Sequence, residues 1–140
     1  MIIGYASGVF DLFHIGHVRL LKNAKSMCDR LIVGVSSDEL VVYKKKKPVI
    51  PFDERIQVVR ACRYVDAAVP QNNLDKVDAY LRYKFDLLFV GDDWYESNEW
   101  KQYEARLSKS NVKVIFFPYT LTTSSTLINE TLNTLRQTTN

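Results

Sequence analysis

Cysteine is scarce in this chain: Cys28 and Cys62 are the two in 140 residues, and no metal-ligand spacing involves them. Both fall on apolar faces of predicted helices and read as buried core thiols, which excludes a disulfide scaffold or a cysteine metal centre. No apolar run approaches the roughly 18 residues needed to cross a bilayer, and no signal-peptide pattern opens the chain. The expectation is a cytoplasmic protein without membrane insertion. Neither GxxxxGK followed by Ser or Thr nor GxGxxG is present, since the first turn has only Gly8 and Gly16, so no glycine cradle is available for phosphate. The excess of one charge is small, 19 Lys and Arg against 16 Asp and Glu. The positive charge also clusters without interleaved aromatics, which argues against a nucleic-acid partner.

What is present is ordinary for a globular domain: 46% hydrophobic and 25% charged residues. A chain of this length buries about 68–70% of its unfolded surface, so residues 1–140 read as one domain. Apolar segments at Met1–Ala6, Arg30–Val35, Ala67–Val69, Leu87–Val90 and Val112–Phe117 predict strands. Helices are predicted over His17–Asp29, Pro51 to about Cys62, Leu74–Tyr83, Glu99–Ser108 and Ser124–Leu135, with Gln137 to Asn140 frayed. Pro51 with Asp53 and Glu54 gives the second of these a favourable start. The alternation predicts an α/β, Rossmann-like, doubly wound parallel sheet of five strands, binding ligands beyond the strands' carboxyl ends.

The stretch that organises the chain is Gly8-Val9-Phe10-Asp11-Leu12-Phe13-His14-Ile15-Gly16-His17. It lies where the first strand hands over to a helix, and a helix N-terminus offers unpaired N–H groups and a positive dipole end to an anion. One histidine there reads as a cap. Two, separated by Ile15-Gly16 and beside glycine, fit a phosphate site in which imidazoles donate to phosphate oxygens. Asp11 either orients His14 or caps the turn.

Other strand ends carry further candidates. Lys44 to Lys47 follow the second strand. They read either as a solvated loop or as ammonium groups that neutralise a triphosphate. Arg55, Arg60 and Arg63 lie along and past one helix, and plain surface arginine is the bland reading. Gly91-Asp92-Asp93-Trp94 follows the fourth strand as a turn or cap, or as the lining of a base pocket. Pro118 to Thr126 joins the last strand to the last helix and is rich in hydroxyl groups suited to N-caps or to phosphate.

His14-Ile15-Gly16-His17 matches the HxGH signature of the nucleotidylyltransferases, and Gly8 to His17 resembles the opening of the cytidylyltransferases among them. Cys62 to Asp66 resembles the RYVD segment of glycerol-phosphate and phosphocholine cytidylyltransferases, and the GDDW run resembles the glycerol-phosphate branch. The last loop is similar to the family's R-T-x-G-I-S pattern at Thr120, Ser124, Ser125 and Thr126. It departs at Tyr119, where the family has arginine, and at Thr122 and Thr123; Leu74 replaces a frequent tryptophan.

The resemblance implies that CMP passes from CTP, accompanied by Mg²⁺, to a small phosphate monoester, with release of pyrophosphate. Glycerol 3-phosphate is the first choice of acceptor. Phosphoethanolamine or phosphocholine follows, then adenylyl transfer to FMN or phosphopantetheine, then a catalytically weak CTP-binding module. The resemblance assigns His14, His17, Lys44 and Arg63 to catalysis. It assigns Gly8, Val9, Phe10, Asp11, Gly16, Lys46, Gly91, Asp92, Asp93, Thr120, Ser124, Ser125 and Thr126 to the nucleotide, and Arg55, Arg63 and Trp94 to the acceptor. No residue is assigned to a metal, and a homodimer is the implied assembly.

Overall fold

The computed structural model describes residues 1–43, 47–73, 75–91, 98–117 and 125–138. Five strands, β1 (Ile3–Gly8), β2 (Arg30–Ser36), β3 (Ala67–Gln71), β4 (Leu87–Gly91) and β5 (Lys113–Phe117), form one sheet in the order β3-β2-β1-β4-β5. Every pairing is parallel, with Gly4 opposite Leu31 and Leu87, and Gly8 opposite Val35. The chain winds outward from β1 through β2 to β3, then crosses back to β4. That reversal puts the topological switch point between β1 and β4, where open sheets of this kind bind ligands.

Helices α1 (Ile15–Ser26), α3 (Phe52–Ala61), α4 (Lys76–Tyr83), α5 (Asn98–Leu107) and α6 (Ser125–Thr138) follow in chain order around a short helix, α2 (Asp38–Tyr43). Strand alternation divides the core in two. Leu21 and Ala24 of α1 and Ile56 and Val59 of α3 pack on Ala6, Leu31, Val33 and Val35 on one face. On the other, Ala79 of α4 and Leu107 of α5 pack with Tyr5, Ile32, Leu88 and Val90. Each fully buried aliphatic side chain stabilises this arrangement by about 1.5–3 kcal/mol. Gly34 leaves room for Tyr5, whose hydroxyl would collide with any Cβ there.

All five expected strands form, with ends shifted by up to two residues. The expected polar stretch after β2 instead begins with α2, in which Leu40 and Val41 are buried and the Ser37 hydroxyl accepts the Leu40 N–H at 3.2 Å. No helix among the described residues is long and apolar enough to cross a membrane.

Candidate functional site

The turn from β1 into α1 is held in a strained shape. Phe10 and Leu12 both have positive φ, 55° and 50°, a region that bulky side chains rarely occupy. Such strain persists only where the surroundings enforce it. Here the Asp11 carboxylate accepts the N–H groups of Leu12 (3.1 Å), Val49 (2.8 Å) and Ile50 (2.9 Å). Asp11 therefore clasps the turn to the segment before α3. Gly8 admits the Phe10 ring, whose nearest carbon would lie 3.2 Å from a Cβ.

At the end of this turn the two histidines build a reciprocal cap. His14 Nδ1 accepts the Gly16 N–H at 3.0 Å, and His17 Nδ1 accepts the His14 N–H at 3.1 Å. A backbone N–H can only donate, so each Nδ1 is the unprotonated ring nitrogen and each Nε2 carries the proton. The rings lie 4.1 Å apart by centroid, and His17 is flanked by Phe13 (5.2 Å) and Phe10 (5.4 Å). Capping and phosphate recognition, alternatives in the sequence, are thus compatible: one nitrogen of each ring caps while the other remains a donor.

Both rings are neutral at pH 7. Burial pushes the His17 pKa down, the neighbouring His14 pushes it further, and Asp11 opposes them, leaving it at about 4. Burial also lowers that of His14. The unfolded chain protonates His17 near pH 6.5 and the folded chain near 4, so between these values the unfolded state binds more protons and stability falls as pH falls. The loss through His17 is on the order of 3 kcal/mol by pH 4 and constant below it. Urea unfolding between pH 7 and 4 is expected to show this decline, and His17→Gln to flatten it. An unaltered pH slope in His17→Gln would assign the acid lability to other groups.

The remaining expectations separate by sheet edge. Arg55 is not placed to meet an acceptor. Its side chain is 0% exposed; Nε donates to the Ile50 carbonyl at 2.8 Å and Nη1 to those of Val9 (2.7 Å) and Ser36 (2.8 Å). Its Nη2 pairs with Asp38 at 2.6 Å. Arg63 lies at the opposite, amino-terminal edge. Three residues on, Asp66 accepts the Leu31 N–H at 2.7 Å and pairs with Lys25 at 2.6 Å. From Leu31 to Val35, beside the histidine turn, is four residues of strand, about 13 Å. The Arg63 guanidinium instead lies over the Tyr64 ring, 5.1 Å from its centroid. Arg63 cannot reach a phosphate held by the histidines of its own chain.

Val9 contributes its carbonyl to Arg55, and Phe10 is buried beneath His17 rather than turned toward a ligand. Gly91 ends β4, opposite Phe117 at the end of β5. Ser125 and Thr126 open α6, with their side chains outside the described residues. Lys44, Lys46, Asp92, Asp93, Trp94, Thr120 and Ser124 also lie outside the described residues, as do Leu74 and Tyr119.

A cation that the sequence did not single out occupies the site edge. Lys76, the first residue of α4, is 6% exposed, and its Nζ donates to Ser7 Oγ at 2.7 Å, one residue before β1 ends. Ser36, on the same sheet face by strand alternation, has a buried Oγ with no hydrogen-bond partner among the described residues. The histidines and Lys76 therefore approach the end of β1 from opposite faces of the sheet.

Residues 5–131 match the cytidylyltransferase-like family model. The chain belongs to this family of nucleotidyltransferases. It is 33% identical over 124 residues to the glycerol-3-phosphate cytidylyltransferase of Bacillus subtilis, covering 88% of this chain and 91% of that one. It is 36% identical over 110 residues to an FAD synthase of Archaeoglobus fulgidus, covering 79% and 80%. A solved structure, the lipopolysaccharide core biosynthesis protein of Thermoplasma volcanium, superposes with a TM-score of 0.72 at 27% identity, over 86% of this chain and 97% of that one.

Proposed function

We propose that this cytidylyltransferase-like protein transfers CMP from Mg·CTP to glycerol 3-phosphate. An oxygen of the acceptor phosphate forms a bond to the α-phosphorus, the bond from that phosphorus to the pyrophosphate oxygen breaks, and pyrophosphate leaves. One observation carries the chemistry. With each Nδ1 committed to a backbone N–H, His14 and His17 present two fixed Nε2–H donors to the charge that builds on the α-phosphate. Donors fixed before reaction stabilise that charge without reorganisation.

No covalent intermediate is needed, and alignment supplies much of the remaining rate. Lys44 and Lys46 steady the triphosphate, and the hydroxyls of Thr120, Ser124, Ser125 and Thr126 position phosphate oxygens. Gly91, Asp92 and Asp93 border the base, and Trp94 the acceptor. The acceptor phosphate, which neither Arg55 nor Arg63 can hold in this chain, is met by Lys76 beside Ser7. Mg²⁺ enters as part of the nucleotide substrate, bound by phosphate and water. A homodimer is part of the same reading.

Glycerol 3-phosphate is favoured by the GDDW run and by the near-complete overlap with the Bacillus relative. The FAD synthase similarity favours a second reading, adenylyl transfer from ATP to FMN. Pyrophosphate release decides between them, measured with CTP and with ATP against glycerol 3-phosphate, phosphoethanolamine, phosphocholine and FMN. Release with CTP and glycerol 3-phosphate is the expected result. Release with ATP and FMN alone would replace this reading by the second. Silence with CTP still bound would make the protein a nucleotide-binding module.

A further inference from the structure

The carboxyl ends of three neighbouring strands turn polar on one face of the sheet. Along that face Tyr5 of β1, Ile32 of β2, and Ala67 and Val69 of β3 belong to the apolar core. Strand alternation then brings Ser7, Ser36 and Gln71 to the same face. Ser36 stands directly opposite Gln71, and Ser7 opposite Gly34, two residues before Ser36. The Tyr5 hydroxyl lies over Gly34 beside the Ser7 Cβ. Lys76 completes the group through its bond to Ser7 Oγ.

Two of these side chains have no structural task that accounts for their burial. Ser36 is 1% exposed, and its Oγ has no hydrogen-bond partner among the described residues. A buried hydroxyl left unpaired is costly, and a partner that arrives with a ligand removes the cost. Gln71, 7% exposed, bridges from Ser36 to the outside, because it also lines the cavity between the end of β3 and α4, where Tyr5 forms another wall.

We infer that Ser36 and Gln71 are specificity-determining residues for the acceptor, receiving the hydroxyl groups of a polyol phosphate whose phosphate lies against Lys76 and Ser7. A hydroxyl both donates and accepts, as do Ser36 Oγ and the Gln71 amide. Phosphocholine or phosphoethanolamine would instead bring a second cation toward the Lys76 ammonium group, and a trimethylammonium group offers Ser36 no hydrogen bond. Asp75, a carboxylate lining the same cavity, is committed to the N–H groups of Val77 (2.9 Å) and Asp78 (3.3 Å).

The inference rests on the acceptor reading above, and its test separates the two. Ser36→Ala removes an oxygen without a partner, so its melting temperature is expected to equal or exceed that of the wild type. Its KM for glycerol 3-phosphate is expected to rise at least about fivefold, with the KM for CTP unchanged. Gln71→Met, which keeps the length of the side chain and loses the amide, is expected to show the same split. An unchanged KM for glycerol 3-phosphate in either variant, or an equal rise in the KM for CTP, would overturn the inference. A second readout needs no activity. Glycerol 3-phosphate is expected to raise the wild-type melting temperature more than inorganic phosphate at equal concentration, and Ser36→Ala to lose that surplus. Should the wild type release no pyrophosphate with any acceptor, the proposed function fails and this surplus alone decides. Equal shifts from both compounds in the wild type, or an undiminished surplus in Ser36→Ala, overturn the inference. If Ser36→Ala does not fold, Gln71→Met takes its place under the same criteria.

Discussion

His17→Ala is expected to lower turnover by at least about a hundredfold, the usual scale for removing one fixed donor to transition-state charge. The alanine removes the Nε2–H donor, and it also leaves the His14 N–H without the acceptor that His17 Nδ1 provides. His14 then loses part of what orients it. Because the donor acts on charge that builds during the reaction, the loss should fall on kcat more than on the KM for CTP. His17→Gln separates the two effects. Glutamine at the third helical position can reach back to the capping N–H, so this variant should keep the turn closed while misplacing the donor. Low turnover with a near-native melting temperature in His17→Gln would assign the loss to chemistry. Turnover of His17→Ala within tenfold of the wild type would remove His17 from the mechanism.

That both histidines belong to one site is legible in the sequence, because HxGH at a strand-to-helix turn fixes their neighbourhood. How they work there is not. A reciprocal cap and a site donor call for the same residues, and only the hydrogen bonds to His14 and Gly16 show which nitrogen does which. The strain at Phe10 and Leu12 is equally silent, since neither residue type announces a left-handed conformation. The helix α2 escaped because six residues are too few for a periodic pattern, although Ser37 followed by Asp38 and Glu39 is a helix-start signal.

The two arginines show a different limit. Helical spacing says which residues share a face but not which face meets the core, so Arg55 reads as surface when it is among the most buried side chains. For Arg63 the answer was within reach. In a parallel unit a helix returns the chain to the sheet's amino-terminal edge, so a residue between α3 and β3 lies opposite any site built after β1. The resemblance in Arg63 to Asp66 is real, yet in this chain it marks an edge where Asp66 ties Lys25 and Leu31 together. Lys76 is the converse case. A lysine at a helix start reads as solvated, and only the fold shows it buried against Ser7.

Arg55→Met is expected to be the most destabilising single change near the site. Methionine fills most of the apolar stem's volume but supplies no donor. The carbonyls of Val9, Ser36 and Ile50 would lose their partner, and Asp38 would lose its cation. Burial alone pushes the Asp38 carboxyl up, yet the hydrogen bonds from Arg55 and the Phe52 N–H hold it below the usual carboxylate range. Removing one member of a buried charged network of this kind costs about 3–5 kcal/mol, mostly through the groups left unpaired. In a domain of this size that is a fall in melting temperature of roughly 10 °C or more. Asp38→Asn should cost less, because the amide oxygen can still accept from Arg55 and from the Phe52 N–H, and the carbonyls of Val9, Ser36 and Ile50 still hold the guanidinium. The contrast is the decisive part: Arg55→Met should lose more stability than Asp38→Asn, since only the first strips three carbonyls of their donor. If Arg55→Met melts within about 3 °C of the wild type, the guanidinium is not the tie that holds these connections together.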